Sequence, residues 1–257
     1  MTWHDERAQK DFTVWETIKY PGRPNNIGFK PAIILYENML WRNKEPSSGP
    51  PSNASLDYWI DLLNSFKYTG IVILDIEHWP IYTDTVTRQY MIDIVTRFRV
   101  RSNGYKVGYY AMVPDRDMIG TLSPWTPQFT AWKARNTFVK PIADACDIIF
   151  PSLYTIYPDS FRWEYAATQN IIEARRLAGD KPVIAFLWPQ YHEAAVGIAP
   201  LSYLDSELWY RQLIHTYQMC DGMIIWNINP PAGVTWTTEI PWYKIARSFA
   251  SRFTRSM

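Results

Sequence analysis

Residues 73–80 read ILDIEHWP, an apolar run that ends in two carboxylates, Asp75 and Glu77, two residues apart. In an extended chain successive side chains alternate between faces, so residues two apart point the same way. If the run is a strand of a parallel barrel, both acids face its mouth, at the end where barrels keep their reactive groups. Two carboxylates held together repel, so one must keep its proton near neutral pH, as a general acid requires. Two acids ending so apolar a run are costly unless used, which weighs against a plainer role capping the next helix or pairing with rim arginines.

The same rule directs attention to what every other apolar run carries as it ends. Tyr36 and Glu37 close one run, Tyr110 another, and Tyr154, Trp188 and Trp226 the last three. Each such end is polar or aromatic. Arg116, in VPDRD, offers the planar fork suited to a carboxylate on a ligand. His78 follows Glu77, but alternation points it away, which favours a structural role. His192 and Glu193, in PQYHEA, lie beyond the sixth run, where contact with a substrate and a solvated loop are equally open. His4 and His215 read as surface or helix residues. No GxGxxG, GxxxxGK[ST] or GxSxG segment occurs, which weakens nucleotide and serine-hydrolase readings. Cys146 and Cys220 have no zinc spacing and cannot build a disulfide framework; two buried thiols are expected, with no metal and no cofactor.

The elements that must position these residues are legible as alternation. Short apolar runs at 12–18, 32–38, 70–77, 105–112, 147–154, 182–188 and 222–228 are spaced by stretches of helical period. Seven strands alternating with helices predict an α/β chain built on a parallel sheet. Several runs are continuous Ile, Val and Leu, as expected of strands covered on both faces. Helices are predicted over 56–66, with Ser55 as N-cap, and over 86–100, 126–145, 161–178, 205–219 and 242–253. KEPSSGPPSN, 44–53, is the clear loop, and no second domain is visible: 1–257 reads as one barrel domain, with 1–10 a loosely ordered extension.

Composition narrows the ligand. The 257 residues carry 26 Lys and Arg against 25 Asp and Glu, a net charge of +1, which argues against nucleic acid as the main partner. No run of about 18 apolar residues predicts a membrane span, and the start MTWHDERAQK lacks the apolar core of a secretory signal. The 13 Trp and 17 Tyr exceed what packing asks for; sugars present an apolar C–H face to such rings and hydroxyls to polar side chains.

At this point the sequence resembles the hyaluronidase family of glycoside hydrolases. LDIEHWP is similar to that family's Asp-aromatic-Glu strand end, AIILYENM to its early Tyr-acid strand, VGYYAMVPD to its fourth strand, IIFPSLY to its Pro-Ser-x-Tyr strand and GMIIWN to its last, Trp-bearing strand. The likeness runs in order from about residue 12 to 250. It implies a single distorted TIM-type (β/α) barrel of about seven strands, and endo-acting hydrolysis at an N-acetylhexosamine with retention, the substrate's own 2-acetamido group attacking C1. By the same resemblance Glu77 is the general acid and then base, and Asp75 holds the acetamido N–H. Tyr110 and Tyr154 bond the acetamido group and the reactive sugar, Trp226 forms an apolar floor, and Tyr36 lines the cleft.

The sequence also departs from that pattern. Trp188 stands where the family's sixth strand has a glutamine, with Gln190 two residues later, and the animal enzymes' disulfide cysteines are absent. Hyaluronan specificity therefore does not follow. Three alternatives stay open: a second protein carboxylate, Glu37 or Glu193, as nucleophile or base; a polysaccharide lyase; and an aromatic-lined barrel that binds glycan without turning it over. The expected partner is a polysaccharide or oligosaccharide, with no nucleic acid, no membrane and no second copy of the chain; a glycan substrate favours an extracellular setting.

Overall fold

The computed structural model describes residues 11–42, 49–228, 230 and 233–254. The expected extension 1–10, with His4, and residues 44–48 of the loop lie outside the described residues. Seven parallel-paired strands are β1 (Thr13–Glu16), β2 (Lys30–Pro31), β3 (Ile33–Tyr36), β4 (Ile71–Asp75), β5 (Lys106–Tyr109), β6 (Ile184–Leu187) and β7 (Gly222–Ile225). They form two ladders, β2-β1-β7-β6 and β3-β4-β5. β2 and β3 are one stretch of chain interrupted at Ala32, whose N–H still donates to Glu16 O at 2.9 Å.

The predicted strand at 147–154 is not a continuous ladder. It makes isolated parallel bridges, Phe150 to Tyr110 on one side, Ile149 to Val183 and Ser152 to Phe186 on the other. Pro151 is the reason: without an N–H it cannot continue a ladder, although its carbonyl accepts from Phe186 N at 2.8 Å. The segment nonetheless joins β5 to β6, so the circuit of pairings passes through both ladders and returns to β1. At its crossing with β5 a Cβ on Gly108 would lie 2.2 Å from Ile148 O, so only glycine admits this approach.

Helices α1 (Glu37–Trp41), α2 (Asn53–Ser65), α3 (Thr85–Arg101), α4 (Pro127–Phe138), α5 (Lys140–Ala145), α6 (Ser160–Ala178), α7 (Ser206–Met219) and α8 (Pro241–Phe253) lie between and after the strands. Four local expectations change. Glu37 begins α1 instead of ending a strand. The cap of α2 is Ser52, whose Oγ accepts from Ser55 N, while Ser55 Oγ donates to Leu40 O at 2.6 Å. The helix expected over 126–145 is two, because Pro141 stands in the first turn of α5 and cannot lie within a longer helix. The remaining strands are shorter than their apolar runs. Asp84, Asp159 and Asp205 cap α3, α6 and α7 by accepting backbone N–H bonds.

Strand alternation divides the core in two. Val72, Leu74 and Ile76 pack outward with the helices, in the large cluster. Ile71, Ile73, Ile148, Phe150, Ile184, Phe186 and Ile224 fill a second cluster, the barrel interior. Continuing the inward parity upward from that apolar floor gives Asp75 and Glu77 on the third strand run, Tyr154 after Phe150, Trp188 after Phe186, and Trp226 after Ile224. Cys146 and Cys220 sit at the opposite end, just before the 147–154 segment and β7, buried and in no disulfide. Among the described residues no helix is long and apolar enough to cross a membrane.

Candidate functional site

Above the floor lies a cavity of about 310 Å³. Its wall brings together Asp75, Glu77, Tyr110, Arg116, Tyr154, Trp188, His192, Glu193 and Trp226, with Ile34 and Phe186 beneath them. Of the residues predicted from strand ends, Tyr36 and Glu37 stand outside this wall, and Tyr36 has another task. Its hydroxyl instead accepts from Trp226 Nε1 at 3.3 Å and from Lys19 Nζ at 3.0 Å, so it fixes the indole that does line the cavity.

Asp75, an acid of the wall, is shifted from its ordinary value. Burial and the neighbouring Glu77 carboxylate, which is also hydrogen-bonded to it, push Asp75 up to about 7; Glu37 adds to the rise and Lys19 opposes it. The pair therefore holds a proton near neutrality that two free carboxylates would have lost. Glu77 itself is the more exposed partner, placed to reach what enters the cavity. Glu37 stands outside the wall and is paired with His78 Nδ1, which gives that exposed histidine a partner and turns it from Glu77.

Three rings make one corner. Tyr154 stacks on Trp226 at 5.7 Å and meets Trp188 edge-on at 5.2 Å, while Trp188 and Trp226 are 4.8 Å apart and nearly perpendicular. Trp188 is held by donating Nε1 to Gln190 Oε1 at 3.0 Å, and Gln190 in turn donates to Leu201 O at 2.6 Å. Gln190 is thus committed to the loop, and the indole is what the sixth strand offers a ligand.

Against this corner, with the Tyr110 ring 5.9 Å from that of Tyr154, lies a hydroxyl pair. Tyr110 Oη lies 3.2 Å from Ser152 Oγ and accepts from Arg116 Nη1 at 3.2 Å. Burial pushes Tyr110 up to about 12 and Tyr154 well above its ordinary value, and the two hydroxyls are hydrogen-bonded. Both are proton donors at any ordinary pH. Arg116 also lies 6.0 Å over the Tyr154 ring, and among the described residues it pairs with no carboxylate. Ala194 N donates to His192 Nδ1 at 3.0 Å, so the neutral ring carries its proton on Nε2. Burial and Arg116 lower that histidine's pKa, favouring this neutral form.

Lys19 and Asn227 go unpredicted: Lys19 lies in no motif, and Asn227 ends GMIIWN without an expected role. Lys19 Nζ lies 4.1 Å over the Tyr36 ring, and its backbone N–H donates to Asn227 Oδ1 at 2.8 Å. The available signal was position, since Lys19 follows the first strand as the other site residues follow theirs. Among the described residues no group of three or more His, Cys, Asp or Glu is gathered as metal ligands would be.

No protein-family signature and no curated protein matches the sequence. Solved structures do. The chain is similar to bee venom hyaluronidase in complex with a hyaluronic acid tetramer, with a TM-score of 0.66 and 15% identity over 94% of each chain. A monoclinic crystal form of bee venom hyaluronidase gives 0.64 at 15% identity, over 94% of this chain and 97% of that one. A double mutant of Cellulomonas fimi endo-β-1,4-mannanase gives 0.50 at 8% identity, over 96% of this chain and 72% of that one. At such identities the likeness concerns fold: this is a TIM-type barrel of the kind these glycoside hydrolases have.

Proposed function

We propose that the chain is a retaining, endo-acting glycoside hydrolase that cleaves an N-acetylhexosamine-containing glycan with help from the substrate's own acetamido group. The observation that carries this reading is the hydrogen-bonded Asp75–Glu77 pair at the end of a buried strand, beside a corner of three aromatic rings. The stacked Tyr154 and Trp226 suit the apolar face of a sugar or its acetamido methyl. In the free protein the two carboxyl groups share a proton, held by burial and by their mutual repulsion. An acetamido N–H donated to Asp75 favours its ionised form, so the proton passes to Glu77, next to the glycosidic oxygen.

From there the steps follow. Glu77 protonates the leaving oxygen as the C1–O bond breaks and the acetamido carbonyl oxygen bonds to C1. Asp75 holds the N–H as positive charge spreads over the new ring. Glu77 then takes a proton from water, which attacks C1 and reopens the ring, so configuration is retained. Tyr110 and Tyr154, always protonated, donate to the sugar or its amide. Arg116, which pairs with no carboxylate among the described residues, is the group to receive an acidic substituent on the glycan. The fold's likeness to a hyaluronidase adds support of its own kind.

Glu77→Gln should lower turnover of a susceptible oligosaccharide by about 10²-fold or more while leaving folding and glycan binding intact. A panel of defined glycans, with and without an N-acetylhexosamine, read by mass spectrometry, supplies the substrate. Products whose masses sum to the substrate plus one water mark hydrolysis, products that sum to the substrate itself, one of them unsaturated, mark a lyase, and binding without turnover marks a glycan-binding barrel. Undiminished turnover in Glu77→Gln sinks the assignment. A second reading draws on Glu193, which lines the same cavity and could serve as a protein nucleophile or base. Glu193→Gln tests it: loss of turnover as deep as in Glu77→Gln favours that reading, and a small change favours the first.

A further inference from the structure

The cavity shares a wall with a second recess, of about 160 Å³, and the shared residues are Glu77, Tyr110 and Arg116. The recess has its own lining in Trp79, Tyr82, Ala111 and Asp115. It is a built feature. The chain leaves β5 through Ala111 at a left-handed φ of 50°, which swings it away from β4 at once. The following residues are then pinned: Tyr82 Oη donates to Met112 O at 3.0 Å, Arg135 Nε to Asp115 Oδ2 at 2.8 Å, Trp132 Nε1 to Asp115 O at 2.8 Å, and Asp115 N to Asn136 Oδ1 at 2.7 Å. A cleft walled by groups locked in this way keeps its shape before any ligand arrives.

A glycosidic oxygen has a sugar on each side, and the acid that protonates it must stand between the two. The aromatic corner lies on one side of Glu77 and this recess on the other of the shared wall. We propose that the recess binds the leaving sugar, a pyranose of the glycan chain, with its apolar face on Trp79 and its hydroxyls toward Asp115, Tyr82 and Arg116. The proposal rests on Glu77 being the acid. It makes cleavage fall between two sugars that the protein holds separately, and makes Arg116 the residue that touches both.

The test compares an oligosaccharide with an activated aryl 2-acetamido glycoside, whose leaving group departs as a phenolate and does not need a sugar subsite. Ala111→Leu fills the recess. The ratio of kcat/KM on the oligosaccharide to kcat/KM on the aryl glycoside should fall by about tenfold or more, because binding of the remote sugar no longer contributes to the transition state. Trp79→Leu, which removes the stacking face, should lower the same ratio; since Trp79 also meets Trp41 at 5.2 Å and Tyr90 at 5.4 Å, its fold is checked by circular dichroism. An unchanged ratio in a folded variant overturns the proposal. If Glu77→Gln retains full activity on both substrates, it is instead the reading of Glu77 that fails, and the recess loses its role with it.

Discussion

Glu16 and Asp75 are the last residues of β1 and β4, two carboxylates taken out of water by one barrel, and burial pushes the pKa of both upward. They differ in parity and in company. Glu16 follows Val14 on the outward face, only 1% exposed, where Arg23 Nη1 donates to Oε1 at 2.8 Å and Ile18 N to Oε2 at 2.7 Å. Asp75 follows Ile73 on the inward face, where Glu77 and Glu37 are its neighbours and Lys19 is the opposing charge. Each oxygen of Glu16 is satisfied by a donor, so the group fastens the loop after β1 to the barrel. Asp75 keeps unfavourable company that no packing need explains, and a proton bound there against the ordinary preference of a carboxylate is available for transfer. A buried acid thus belongs to the scaffold or to the site according to the sign of what surrounds it.

The largest expected effect comes from removing the company that Glu16 has. Breaking a fully buried ion pair costs about 3–5 kcal/mol. Arg23 is 25% exposed, so Arg23→Met should lose roughly 2–3 kcal/mol of unfolding free energy in urea at pH 7. Glu16→Gln in the same background should recover part of it, since the stranded charge is then gone. A loss within about 0.5 kcal/mol, the range of an ordinary surface change, would mean that Glu16 is no fastener and that the contrast with Asp75 is one of burial alone.

Asp75→Asn should act in the opposite direction. An unfolded aspartate releases its proton near its ordinary value of 3.8, whereas folded Asp75 keeps it until about 7. Between those values the unfolded chain binds fewer protons than the folded one, so the folded state loses stability as pH rises through that window and stays penalised above it. Asparagine has no such proton to hold. From 3.8 to about 7, at about 1.4 kcal/mol per pKa unit, the ceiling is about 4 kcal/mol; burying the amide has a cost of its own, so the variant should be more stable than the parent at pH 8 by roughly 1–2 kcal/mol, and the advantage should vanish toward pH 4. Thermal melts across that range check it. Gain of stability with loss of turnover is the trade expected of a strained functional group; equal melting at every pH would place Asp75 with Glu16.

Much of this arrangement was legible in the sequence because alternation is a strict rule. Once 70–77 is a strand, Asp75 and Glu77 share a face, and the same rule carries Tyr154, Trp188 and Trp226 to the mouth. What escaped depends on contacts across the ring. Lys19 and Asn227 meet because β1 pairs with β7, a neighbour relation that exists only when the circuit of pairings comes round. Tyr36 has the right position, but its hydroxyl is occupied by Trp226 and Lys19. Local chemistry also overrode period at Pro151, which breaks a ladder, and at Pro141, which divides a helix. Glu37 begins α1, and the apolar run leading into it gives no sign of that turn.

Lys19 offers the finest test of the difference between the two acids. It is exposed, its ammonium donates to Tyr36 Oη at 3.0 Å, and it is the charge that holds Asp75 down while Glu77 and Glu37 raise it. Lys19→Met removes that opposition, so Asp75 should keep its proton to higher pH. If turnover needs one proton on the Asp75–Glu77 pair, the basic limb of the pH profile of kcat/KM should move upward, by about half a unit, since solvent screens an exposed ammonium. Arg23→Met, which alters the company of Glu16 alone, should leave the limb in place. A limb that stays fixed in Lys19→Met would show that burial and the neighbouring carboxylates set Asp75 by themselves, and Lys19 would then serve only to hold Tyr36 against Trp226.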